Sequence, residues 1–147
     1  MRFGFRAKAN EAYPVESFVD LKPSVYEGST YTLIVFARSN CEVCQRARPL
    51  ISELVTIAKT SPKFARRLVA VRTVDDDERD YAASLGFDVG TELVERGEEK
   101  LRAKTVPIVL LVSQQGRVLF SGLGELRPEQ YQDAAALIRR LAAEPAR

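Results

Sequence analysis

Apolar positions along this chain change period several times, and each change marks an element. "YTLIVFA" (Tyr31 to Ala37) is a β-branched and aromatic run without charge, as expected of a strand buried on both faces. After "RSN", read as a turn, Cys44, Ala47, Ile51, Leu54, Val55 and Ala58 recur at steps of three and four. That period predicts an amphipathic helix over residues 41 to 59, with Ser39 or Asn40 as its N-cap. Pro49 falls inside it and, lacking an N–H, should kink it. A second strand is predicted at Leu68 to Val74. "DDDERDYAASLGF" reads as another helix, acidic where the dipole favours anions and stopped by Gly86.

Downstream, "TVPIVLLVSQQGRVLFSG" (Thr105 to Gly122) holds an apolar strand, a Gly-containing turn and a further strand, which predicts a hairpin. From Pro128 onward, Tyr131, Ala134, Ala135, Ile138 and Leu141 form the stripe of a closing helix. Residues 1 to 30, broken by Pro14, Pro23 and Gly28, read as an irregular lead-in with a short strand around Ser17 to Val19. Residues 88 to 104 are charged and carry two glycines; they read as an inserted excursion with one helical stretch. Strands alternating with helices imply parallel pairing, and the hairpin adds an antiparallel edge. The expectation is one α/β domain over residues 1–147, a mixed central sheet with helices on both faces.

Composition narrows the chemistry. Twenty-two Lys and Arg against 20 Asp and Glu leave a net charge of +2, which calls for neither nucleic acid nor a membrane surface as partner. No apolar run approaches the ~20 residues that span a bilayer, and "MRFGFRAKANEAYPV" lacks the apolar region of a secretion signal. A cytoplasmic protein and an exported one whose signal or anchor was removed both remain open. Histidine is absent altogether, which excludes Ser–His–Asp and Cys–His catalysis and histidine-ligated metals. The acidic run Asp75, Asp76, Asp77, Glu78 and Asp80 reads as a solvated helix start rather than a metal site. Arg46 and Arg48 read as cover for the exposed face of the first helix.

What remains is a pair. Cys41 and Cys44, in "SNCEVC", are the only cysteines of the chain. C-x-x-C at a helix start puts both sulfurs within one turn of ~3.6 residues, near enough to close a small disulfide ring. Cys41 is expected open to solvent at the helix tip, where unpaired N–H groups and the dipole favour an anion such as a thiolate. Cys44, one turn in on the apolar stripe, should keep its proton longer. The asymmetry assigns attack to Cys41 and resolution to Cys44. A zinc half-site would need carboxylates or a second chain to complete it. Inert packing would account for Cys44 but not for a cysteine at the helix start.

"LIVFARSNCEVC", followed by Pro49 five residues past the second cysteine, resembles the active-site strand, motif and kinked helix of the thioredoxin-like superfamily. "TVPIVLLVSQQGRVLFSG" resembles its later hairpin. The likeness spans roughly residues 30 to 143. It implies a thioredoxin-like fold and thiol–disulfide oxidoreductase activity through a redox-active disulfide, with no metal or organic cofactor. It also implies that Pro107 is a cis-proline facing the cysteines and that the Val106 backbone pairs with a bound substrate chain. Protein thiols and disulfides would be the substrates, with an upstream dithiol reductant and a monomeric state.

There are departures from thioredoxin itself. Asn40 stands where thioredoxin has tryptophan, Glu42-Val43 replaces Gly-Pro, and Val35 occupies the place of a buried aspartate. These point to the redoxin-type branch of bacterial cell envelopes, including proteins serving cytochrome c maturation, and hence towards a periplasmic or envelope location. Glu42 beside Cys41 opposes a negative sulfur, while Arg38 compensates. The balance predicts a reductant rather than a strong oxidant. A peroxidase-type redoxin and a non-catalytic thioredoxin-fold adapter are the alternatives.

Overall fold

The structure is a computed structural model that describes residues 13–95 and 106–145. Its elements follow the chain as β1 (Tyr31–Ala37), α1 (Glu42–Lys59), β2 (Phe64–Ala70), α2 (Asp76–Ser84), β3 (Leu93–Glu95), β4 (Ile108–Ser113), β5 (Val118–Leu123) and α3 (Pro128–Ala143). One five-stranded sheet runs in the order β3-β2-β1-β4-β5. β1 pairs in parallel with β2, and β2 with β3, while the β4–β5 hairpin joins β1 antiparallel. This is the mixed α/β sheet the apolar runs predict.

Burial follows from those runs. Side chains alternate between faces along a strand, so the unbroken burial of Leu33 to Ala37 and of Ile108 to Val112 means that both faces of β1 and β4 are covered. α1 sends Cys44, Ala47, Ile51, Leu54, Val55 and Ala58 into the core, the stripe its spacing predicts, and packs against α3. The helix runs unbroken through Pro49. α2 stops where Gly86 takes φ +97, a left-handed position that favours glycine. Gly116 turns the hairpin at φ +84, and a Cβ there would meet the Tyr26 ring at 2.7 Å.

Three expectations need correction. The second strand covers Phe64–Ala70 rather than Leu68 to Val74. β1 offers seven residues for pairing, from Tyr31 opposite Phe64 to Ala37 opposite Ala70, and Arg66 is accommodated by its ion pair with Glu92. Next, the described start of the excursion, residues 88 to 95, contains a strand that the sequence pattern does not predict, the edge strand β3 at Leu93–Glu95. The rest of the expected excursion, residues 96 to 104, lies outside the described residues. Finally, Ser17 to Val19 make only an isolated bridge, Phe18 to Arg117. That stretch is nonetheless tied to the start of β5 through Glu16 N–H to Val118 O, Val118 N–H to Ser17 O and Val19 N–H to Gly116 O, at 2.8, 2.8 and 3.0 Å. The described part of the lead-in also belongs to the core: Tyr13, Val19, Leu21 and Val25 are buried, and Tyr13 stacks on Phe36 at 5.7 Å.

Candidate active site

β1 delivers the chain to the motif, and the three residues after it turn it into α1. The N-cap is Cys41 itself, not Ser39 or Asn40: it is extended (φ −125, ψ 119) and its Sγ accepts the Cys44 N–H at 3.2 Å. The Cys41 carbonyl takes the Gln45 N–H at 3.0 Å. A sulfur thus does the work that Ser or Asn oxygens usually do at a helix start. Both cysteines are free thiols.

Cys41 is not open to solvent as its position suggests; it is 9% exposed, against 0% for Cys44. The cover comes from the segment before β4, whose Val106 carbonyl lies 3.9 Å from Cys41 Sγ. Val106 and Pro107 are themselves buried, and the peptide bond between them is cis. The Pro107 carbonyl accepts the Gly124 N–H at 2.8 Å, tying this segment to the end of β5.

Burial pushes the Cys44 thiol up to about 12, helped by its hydrogen bond with Cys41, while the backbone amide and the charge of Arg38 pull the other way. A buried thiol keeps its proton because its low-dielectric surroundings penalise the thiolate. Val35, where a buried aspartate was noted as missing, is wholly enclosed between Leu68 and Val109 on its neighbouring strands.

The exposed side of the motif is charged. Glu42 pairs with Arg46 at 2.8 Å, and Arg46 also reaches Glu125 at 3.3 Å. Arg46 lies on the exposed face of α1, as its place in the sequence predicts, and there takes up the carboxylate beside Cys41. Arg38 and Asn40 are exposed, and Val43 is half-buried against the core. Between the start of α1 and α2 opens a polar cleft of about 360 Å³, with Asn40, Gln45 and Arg48 on one wall and Asp77 and Asp80 on the other. Among the described residues, no group of three or more His, Cys, Asp or Glu side chains is arranged to hold a metal ion.

Two residues at the motif escape a reading of the sequence alone. Glu78, counted there among solvated acids, is 3% exposed, and its carboxylate accepts the Ser39 N–H at 3.0 and 3.1 Å. Tyr81, three residues on, donates its hydroxyl to the Cys44 carbonyl at 3.0 Å; burial foremost, then the nearby cysteines, raises its ionisation above the ordinary tyrosine range. Their i, i+3 spacing places both on one face of α2, together with buried Ala82. That stripe was the available signal.

The sheet order and its helices give a thioredoxin-like α/β fold, with a CxxC pair at the amino end of its first long helix. Solved structures share that fold. One is the thioredoxin domain of a thiol-disulfide oxidoreductase from Bacteroides vulgatus (15% identity, 81% of this chain and 83% of that one, TM-score 0.57). Others are a thiol:disulfide interchange protein from a Bacteroides species (16% identity, 90% and 91%, TM-score 0.56) and StoA from Bacillus subtilis (18% identity, 72% and 82%, TM-score 0.55). At such identities the likeness establishes the fold. No family model matches the chain, and no curated protein matches it either.

Proposed function

We propose that this protein is a thiol–disulfide oxidoreductase that reduces protein disulfides through Cys41 and Cys44. The reading is carried by one juxtaposition: Cys41 Sγ sits between the Cys44 N–H at 3.2 Å and the Val106 carbonyl at 3.9 Å. A nucleophilic sulfur, its resolving partner and a backbone able to pair with an extended substrate chain thus share one crease. A substrate disulfide lies along Val106 and Pro107, and the Cys41 thiolate attacks one of its sulfurs. A Cys41–substrate disulfide forms and the other substrate sulfur leaves as a thiolate. Cys44, its proton passing to the substrate thiolate already released, then attacks Cys41 Sγ, releasing the second substrate thiolate and closing the Cys41–Cys44 disulfide. Two electrons pass to the substrate, and an upstream dithiol returns them.

The direction follows from electrostatics. Glu42 beside the attacking sulfur opposes negative charge there, which favours the disulfide form and so electron donation; Arg46 and Arg38 moderate the effect. No described helix is long and apolar enough to cross a membrane. We place the protein in the bacterial cell envelope, as a monomer, on the branch it resembles, and fractionation of the native host tests that placement.

Insulin reduction tests the activity. Cys41→Ser should lower turnover by at least about a thousandfold, since it removes the nucleophile. Cys44→Ser should stall as a mixed disulfide visible on a non-reducing gel. Peroxide consumption without insulin turnover would replace the proposal with a peroxidase, and neither activity would leave an adapter.

A further inference from the structure

Glu78 is a carboxylate buried at the motif, and no step above employs it. Its surroundings consist of donors: the Ser39 amide at 3.0 and 3.1 Å, the Ser39 hydroxyl, and Arg72 Nη1 at 3.3 Å. Asp75 at the start of α2 holds Arg72 Nη2 at 3.0 Å and caps the Glu78 N–H at 3.0 Å. A further bond runs from Gln45 Nε2 to the Ser39 carbonyl at 2.9 Å. Ser39 is therefore gripped on its amide, hydroxyl and carbonyl, two residues before Cys41.

A buried carboxylate costs several kcal/mol in desolvation unless its lone pairs are met, and charge-assisted bonds are about twice as strong as neutral ones. Here three of the four bonds end on a single loop residue, so the bonding strength is concentrated on the conformation of the turn. That turn sets where Cys41 begins α1. Only a Cys41 held as N-cap keeps its Sγ under the Cys44 N–H.

We propose that Glu78 is a positioning residue for the dithiol: by fixing Ser39 it holds Cys41 at the N-cap and thereby stabilises the reduced pair relative to the disulfide. The asymmetry has a simple source. In the disulfide the two sulfurs are held by a covalent bond, so the loop conformation matters less; in the dithiol Cys41 Sγ is placed by the loop, the Cys44 N–H and the longer contact with the Val106 carbonyl. The inference rests on the oxidoreductase reading but is measurable without a protein substrate.

The test equilibrates wild type, Glu78→Ala, Glu78→Asp and Glu78→Gln with glutathione, and follows iodoacetamide alkylation of Cys41 at pH 7 in a Cys44→Ser background. Glu78→Ala should shift the equilibrium towards the disulfide about tenfold, roughly 30 mV for a two-electron couple, and slow alkylation. Glu78→Asp, which withdraws the carboxylate by one methylene, should shift it in the same direction by a smaller factor and serves if the Ala variant does not fold. Glu78→Gln keeps an acceptor for the Ser39 N–H and should restore most of the wild-type value. A folded Ala or Asp variant with wild-type equilibrium and alkylation overturns the proposal, as does a Gln variant no better than Ala. Failure of the wild type to reduce insulin would instead overturn the oxidoreductase reading, leaving the glutathione and alkylation results to judge Glu78.

Discussion

The two flanks of Cys41 are built differently. On the strand side the sulfur meets the Val106 carbonyl, in the segment leading into a sheet whose central strands are sealed on both faces. On the α2 side the motif is held by a carboxylate, a guanidinium, a hydroxyl and a phenol, with an open polar cleft beyond. Apolar packing is dense and non-directional, so it supplies stability without dictating the orientation of one loop. Hydrogen bonds to charged groups are directional, so a few of them fix a turn that packing alone would leave loose. The strand side holds densely packed apolar residues, and the α2 side the directional bonds that fix the loop.

Substitutions on the two flanks should therefore differ in kind. Leu110→Ala, in the wholly buried middle of β4, should cost about 2–5 kcal/mol in urea unfolding while leaving the glutathione equilibrium of the surviving folded protein unchanged. A large redox shift there would erase the distinction. Next in size is a pH effect on the reduced protein. In the folded state Cys44 holds its proton up to about 12, whereas thiols in an unfolded chain lose theirs near about 8.5. Between those values the unfolded state binds fewer protons, so stability is complete below the window and falls as pH rises through it, by at most about 1.4 kcal/mol per pH unit. Denaturation at pH 8, 9 and 10 should show this slope, and Cys44→Ala should flatten it; equal slopes would mean that Cys44 is not held neutral by its surroundings.

Smaller still is Tyr81→Phe. It deletes one buried hydroxyl bond to the Cys44 carbonyl and should cost about 1 kcal/mol, with a slower resolution step in single-turnover mixing. Smallest is Glu42→Gln. Because Arg46 already holds that exposed carboxylate, removing its charge should move the glutathione equilibrium towards the dithiol by less than about threefold, the scale of a surface ion pair. A tenfold move would show that Arg46 does not shield it.

The same contrast explains what could be seen in the sequence. β1, the hairpin and α1 were legible because burial on a strand or a helix stripe leaves an uninterrupted or periodic apolar record, and the two cysteines stand out in a chain without histidine. The apolar run of β2 starts four residues after the strand does because Arg66 and Arg67 interrupt it, and what makes Arg66 tolerable there is Glu92, 26 positions away. β3 is three residues long and rests on its register with β2 rather than on any pattern of its own. Glu78 was hidden in a run of acids, because its main partner, Ser39, lies 39 positions earlier. The exposure of Cys41 was overestimated for the same reason: its cover, Val106, is 65 positions later. Local periodicity reports packing, while polar contacts between distant segments leave no periodic trace.

The bridge between Phe18 and Arg117 has a bearing on behaviour in concentrated solution. β5 is the outermost strand on its side of the sheet, and an outer strand with bare amides and carbonyls invites another copy to extend it. Residues 16 to 19 take up the start of that row at Val118, so the leading segment acts as a selvedge on the first residue of β5.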